Sequence, residues 1–197
     1  MLSSIHPLGE RTRNNKWLIT VMSFTIGAVI GGSLVGALLG SAGKVMITTS
    51  DHMTGAVIGV IVLVAGILDL TGLGVPGPSR QVNEHWIGSY RGWVYGGAFG
   101  VELGTGIMTY VVTWVVYAMF VSEFLLASPT AGAIVGGVFG AGRSASLLLA
   151  GRIDSPSRLT AFHRRMANLA QTIGQTAGYG AALVGAASLI LVVAWPV

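Results

Sequence analysis

Apolar residues come in long runs along this chain, and polar residues collect between them. The stretch over residues 17–40 reads WLITVMSFTIGAVIGGSLVGALLG, with no charge and no wet face at a helical period. Further runs cover residues 54–74, 96–121, 130–151 and 177–197. Each comes near the ~20 apolar residues that a helix needs to cross about 30 Å of hydrocarbon at ~1.5 Å per residue. In lipid every backbone N–H and C=O must be satisfied within the protein, and a helix does this inside one segment. The pattern therefore predicts an all-α fold, a polytopic membrane helical bundle of about five transmembrane helices. Residues 1–197 read as a single integral membrane domain. The first run is too long for a signal-peptide core and ends in GSAG without the flanks of a cleavage site, so it is read as retained.

Two spellings recur. TIGAVIGG occupies residues 25–32 and TAGAIVGG residues 130–137, sharing Thr, Gly, Ala, two β-branched positions and a Gly pair. The copies lie three spans apart, and an odd number of crossings reverses direction. They should run antiparallel, as in inverted-repeat transporters. Span 1 then matches span 4 and span 2 matches span 5, while span 3 has no mate, a degenerate inverted repeat missing one helix from its front. The second echo joins Pro78, Ser79, Arg80 and His85 to Pro156, Ser157, Arg158 and His163, in the two longer connections. Both read as a turn opening a helix that lies in the headgroup region.

Composition strengthens the membrane reading: 52% hydrophobic residues and 9% charged, with a mean hydropathy of +0.73. The 30 glycines fall at intervals of four in GAVIGGSLVG, GAFGVELGTG and GAIVGGVFGAG. Such spacing permits close approach of helix backbones in lipid, or a broken segment lining a path. GAFGVELG and GVFGAGR follow no strand and so are not phosphate loops. Trp17, Trp86, Trp93, Trp114, Trp195, Tyr90, Tyr95, Tyr117 and Tyr179 mostly sit near span ends, as interfacial belts do.

Charge fixes an expected orientation. Arg11, Arg13, Lys16, Arg80, Arg91, Arg152, Arg158, Arg164 and Arg165 fall on one side, with only Lys44 in the opposite loops. The positive-inside rule puts the N-terminus in the cytoplasm and the C-terminus outside the cell membrane. The pI of about 9.9 then indicates contact with anionic lipid. Nucleic acid is not an expected partner, since no soluble basic face with aromatic platforms is present. The chain has no cysteine, which removes disulfides, thiolate metal sites and thiol redox chemistry. His6, His52, His85 and His163 are scattered, so no metal or haem cofactor is expected.

Several segments resemble the transmembrane domain of the DsbD/CcdA family of thiol-redox membrane proteins. FTIGAVIGGSLVGALLGSAGKV resembles that family's second helix, GVIVLVAGILDLTGLG its third and YGGAFGVELGTG the start of its fourth. GAIVGGVFGAGRSASLLLAG resembles the fifth and YGAALVGAASLILVVAW the sixth. The resemblance implies the fold over nearly the whole chain. It does not carry the activity, because the family's first helix is absent and LGTGIMTYV holds neither the proline nor the cysteine of its fourth.

Three ionisable residues fall inside the runs: Asp69, Glu102 and Arg143. An intramembrane charge costs roughly 2.5 to 3.5 kcal/mol on insertion scales, so each needs a partner, water or a route to the interface. Counted from the cytoplasmic ends of their spans they lie roughly 8, 9 and 12 Å deep, and an Arg143 pair with either acid is permitted. They are the candidate residues for binding or gating, against a structural ion pair or snorkelling side chains as the alternative. Ser144 and Ser146 are the available nucleophiles, but hydroxyls in apolar helices bond back to the preceding turn, so no enzyme is expected. The function expected is transport of a small solute or ion through a polar intramembrane site. The alternative is a non-catalytic accessory or assembly subunit. Under either, the chain should form a homo-oligomer or join other membrane subunits.

Overall fold

The computed structural model describes residues 5–47, 51–77, 89–108, 111 and 113–194. Among these the protein is helical, without strands: α1 Pro7–Thr12, α2 Trp17–Met46, α3 Asp51–Thr71, α4 Gly92–Thr105, α5 Trp114–Leu125, α6 Pro129–Leu148, a 3₁₀ turn Leu149–Arg152, and α7 Pro156–Ala194. It is the all-α helical bundle that the apolar runs predict. Four described helical stretches are long and apolar enough to cross a membrane: Trp17–Met46, Met53–Thr71, Pro129–Gly151 and Thr172–Ala194. These are spans 1, 2, 4 and 5. The outward side chains of α2, α3 and α7 are apolar, Leu18, Ile26, Leu34, Val57, Val64, Leu183 and Ile190 among them, as lipid contact requires.

Span 3 is corrected: the run over residues 96–121 is not one helix. α4 stops at Thr105, where Gly106 turns left-handed at φ 69° and its N–H bonds the Leu103 carbonyl at 3.2 Å. Glycine takes that conformation without the Cβ penalty, which makes it the natural end of a helix. The chain is still extended at Thr113, φ −140° and ψ 145°, before α5 begins. The two pieces have 14 and 12 residues, about 21 and 18 Å, and neither alone spans about 30 Å. Hydropathy misses the break because Gly, Thr and the β-branched residues of LGTGIMTYVVT keep the average apolar while disfavouring a continuous helix.

The fifth span and its preceding connection form one element rather than two. α7 has 39 residues, about 58 Å of helix and roughly twice the hydrocarbon thickness. Its early turns carry the exposed Arg158, Arg164 and Arg165, and the apolar part follows over Thr172–Ala194. Pro156 opens the helix as its spelling predicts, but Ser155 rather than Ser157 caps it, accepting from the Arg158 N–H at 3.5 Å. The first copy of that echo, residues 78–85, lies outside the described residues.

The chain packs as two compact units, each gathered from three stretches. The first takes Met1–Val35, Pro78–Tyr110 and Ile134–Asn168; the second takes Gly36–Gly77, Val111–Ala133 and Leu169–Val197. In the first unit α2 lies against α6 with Ala28 opposite Gly140 and Gly32 opposite Gly136. In the second the same helices set Gly36 opposite Gly132 and Gly40 opposite Ser128. Numbering rises on one helix as it falls on the other, so the two copies of the TxGAxxGG echo face each other antiparallel. A Cβ at Gly32, Gly36, Gly40 or Gly140 would fall into the facing carbonyl group. Close backbone approach is therefore one use of these glycines.

Within the first unit α4 runs parallel to α2, with Gly96, Gly100 and Gly104 against Thr20, Phe24 and Ala28. Its core joins Ile5, Val21, Phe24, Tyr95, Phe99 and Leu147. In the second unit Gly66 meets Gly178 and Ala182, and Gly59 meets Gly185 and Leu189, pairing α3 with α7 antiparallel. Both mate pairs of the inverted repeat thus pack on each other.

Candidate functional site

The break in span 3 frees backbone groups that a continuous helix would consume. In the second unit the first N–H groups of α5 need acceptors, and Thr113 at its N-cap offers no side-chain bond. Asp69 supplies them from another helix. Its Oδ1 accepts from the Trp114 N–H at 2.7 Å and its Oδ2 from the Val115 N–H at 3.4 Å. The carboxylate also brings negative charge to the positive end of the α5 dipole. Trp114 and Tyr117 return the favour to the chain after α3: the indole Nε1 donates to the Leu73 carbonyl at 3.2 Å, and the phenol hydroxyl donates to the Pro76 carbonyl.

In the first unit Arg143 meets the other end of the break. Its guanidinium donates to the Leu103 carbonyl at 3.2 Å, the same carbonyl that accepts from Gly106. A cation at a helix C-terminus complements the dipole there. The guanidinium also lies 5.4 Å from the centre of the Phe139 ring on its own helix, within cation–π range. Ser144 and Ser146 bond back to the Ala141 and Arg143 carbonyls, both at 2.7 Å, as expected of hydroxyls in an apolar helix.

The ion pair permitted by the depth estimate does not form among the described residues. Arg143 and Glu102 belong to the first unit and Asp69 to the second, and the charges of Arg143 and Asp69 answer backbone dipoles instead. Glu102 stands beside Leu103 near the end of α4; its backbone carbonyl accepts from Thr105, and its carboxylate has no ion-pair partner among the described residues. Asp69 sits two residues before the end of α3 at Thr71, nearer that end than its span predicted.

Two further acids escape a sequence reading. Glu10 precedes the first span, yet it is fully buried in the first unit. Its Oε2 accepts from the Thr20 hydroxyl at 2.9 Å, its Oε1 accepts from the Tyr95 hydroxyl, and Arg13 pairs with it at 3.2 Å. The network pins α1 to α2 and α4. Tyr95 is therefore a core residue and not part of an interfacial belt, whereas Tyr90, Trp93 and Tyr179 are exposed and fit that role. His6 caps α1, its Nδ1 accepting from the Gly9 N–H at 3.1 Å. Burial pushes the His6 pKa below the usual histidine value, the positive charges of Arg13 and His163 push the same way, and Glu10 opposes them.

Glu123 falls in what reads as an external loop, SEFLLASP, but it is a fully buried residue of α5. Neither carboxyl oxygen has a hydrogen-bond partner among the described residues. A Cβ placed on Gly36 of α2 would come within 3.0 Å of its Oε1, so the carboxyl lies over that glycine. Burying a charged carboxylate without a partner in apolar surroundings is costly. Just beyond it along the chain, Leu125, Leu126 and Ala127 line a cavity of about 260 Å³ with Ile47, Thr54, Gly55 and Ile58.

No protein-family model matches the chain, and no curated protein or solved structure matches it either.

Proposed function

We propose that this membrane protein is a small transporter that moves a small solute or ion, built on a DsbD/CcdA-like scaffold without thiol chemistry. Its N-terminus is cytoplasmic, its C-terminus is outside, and it assembles as a homo-oligomer or with other membrane subunits. The observation that carries this reading is the interruption of the third span between Thr105 and Trp114. Half-helices in inverted-repeat transporters present free carbonyls and N–H groups to substrate in the middle of the membrane. Irregular backbone at that depth is tolerated where protein buries it or where it lines a water-filled cavity. In this proposal Arg143 and Glu102 near the end of α4 in the first unit, and Asp69 at the start of α5 in the second, are the binding or gating charges, each acting within its own unit.

The test is reconstitution of the full chain in liposomes and flux measurement over a panel of small cations, inorganic anions, sugars and amino acids. One class should move, and Arg143→Ala and Asp69→Asn should each lower its flux about tenfold or more, with insertion unchanged. Wild-type flux in both variants removes these residues from the path. If no member of the panel moves and a stoichiometric membrane protein co-purifies in mild detergent, the accessory-subunit reading replaces this one.

A further inference from the structure

We propose that Glu123 is a proton-binding site: its carboxyl holds a proton while seated over Gly36, and exchanges it with water in the cavity lined by Leu125, Leu126 and Ala127 when that contact opens. Three observations converge on it. The residue is fully buried in an otherwise apolar helix, both carboxyl oxygens are without a described partner, and a cavity is lined by Leu125, Leu126 and Ala127, two to four positions further along the chain. A structural carboxylate looks different, as Glu10 shows with its hydroxyl donors and an arginine.

Among the described residues, no charged group of the surrounding elements satisfies it. On α2 Lys44 is exposed. On α3 Asp69 is engaged at the opposite end of α5, and the side chains of Asp51 and His52 lie outside the described ones. The parts of α6 and α7 in this unit carry no charged residue. A metal cation needs several ligands at once, and no group of three or more His, Cys, Asp or Glu side chains forms among the described residues. A proton needs only the carboxyl. The exchange balances simply: hydronium in the cavity gives its proton to the carboxylate and leaves water, and the reverse step returns it. Glycine at position 36 gives the acid room to stay in place, because any side chain there would press on Oε1.

The proposal rests on the transport reading only for its second measurement. The first is infrared spectroscopy of the full chain in liposomes, which detects the C=O stretch of a protonated carboxyl. At neutral pH wild type should show that band, Glu123→Gln should lack it, and Glu123→Asp should restore a shifted one. Identical band intensity in wild type and Glu123→Gln overturns the proposal. The second is proton entry reported by a trapped pH dye under an imposed membrane potential. A flux cut about tenfold or more by Glu123→Gln supports the site and makes the proton the coupling ion. A lost band with no proton flux in wild type leaves the site standing and counts against proton-coupled transport.

Discussion

Removing the Asp69 carboxylate should loosen the start of α5. Two N–H groups depend on it, those of Trp114 at 2.7 Å and Val115 at 3.4 Å, whereas the Val116 N–H has the Thr113 carbonyl. A hydrogen bond to a charged acceptor contributes about 1.5 to 3 kcal/mol, and the longer contact adds only a fraction of that. Charge against the helix end adds roughly 0.3 to 1 kcal/mol. Asp69 is only half-buried, so the sum for Asp69→Ala is about 2 to 4 kcal/mol of local stability, a rise of roughly 30-fold to 800-fold in opening at those amides. Asp69→Asn keeps one acceptor oxygen and should lose about half as much. Hydrogen exchange read by mass spectrometry on a peptide covering residues 114–116 measures this directly, with Glu102→Gln as a control whose lost charge has no described ion-pair partner. Exchange within twofold of wild type in Asp69→Ala would refute the cap. An equal effect of Asn and Ala would show that the retained acceptor and the charge play no part.

Two further outcomes follow from the same contacts. Gly132→Ala should destabilise the protein by about 1 to 3 kcal/mol, because its methyl meets the Gly36 carbonyl and backbone cannot rotate away. Gly142→Ala, which meets nothing within 4 Å on the same helix, should be neutral or stabilise by up to ~1 kcal/mol; thermal unfolding in detergent separates the two. His6 favours its neutral form when folded, so its contribution is fully present above the ordinary histidine value near 6.5 and is lost as pH falls through the lowered native one. Limited proteolysis of the first 13 residues should therefore speed up between about pH 7 and about pH 5, beyond the change in the protease's own rate. In His6→Gln that acceleration should vanish; an unchanged acceleration assigns the effect elsewhere.

What could be read from the sequence was whatever a local rule governs. Apolar run length located spans 1, 2, 4 and 5 with ends up to about six residues out, span 1 running on to Met46, and parity of crossings gave the TxGAxxGG copies the antiparallel sense in which α2 and α6 pack. The break in span 3 depends on the conformation of Gly106, and the averaging that makes hydropathy useful erases one residue. Asp69 and Arg143 were visible as charges out of place, but depth along a helix axis could not distinguish a carboxylate facing an arginine from one facing an N–H group. Glu10 and Glu123 were invisible for a related reason. Each sits where sequence reads tail or loop, and only packing from distant segments, Tyr95 for one and Gly36 for the other, buries them.

The crossing of α2 and α6 limits how this chain can change. When two side chains collide, a smaller residue at either place relieves the other, and paired alleles drift together through a family. At Gly32, Gly36 and Gly40 the obstacle is the opposite main chain, which no codon can edit. A lesion at one of these positions therefore has no suppressor in the side chain of its mate.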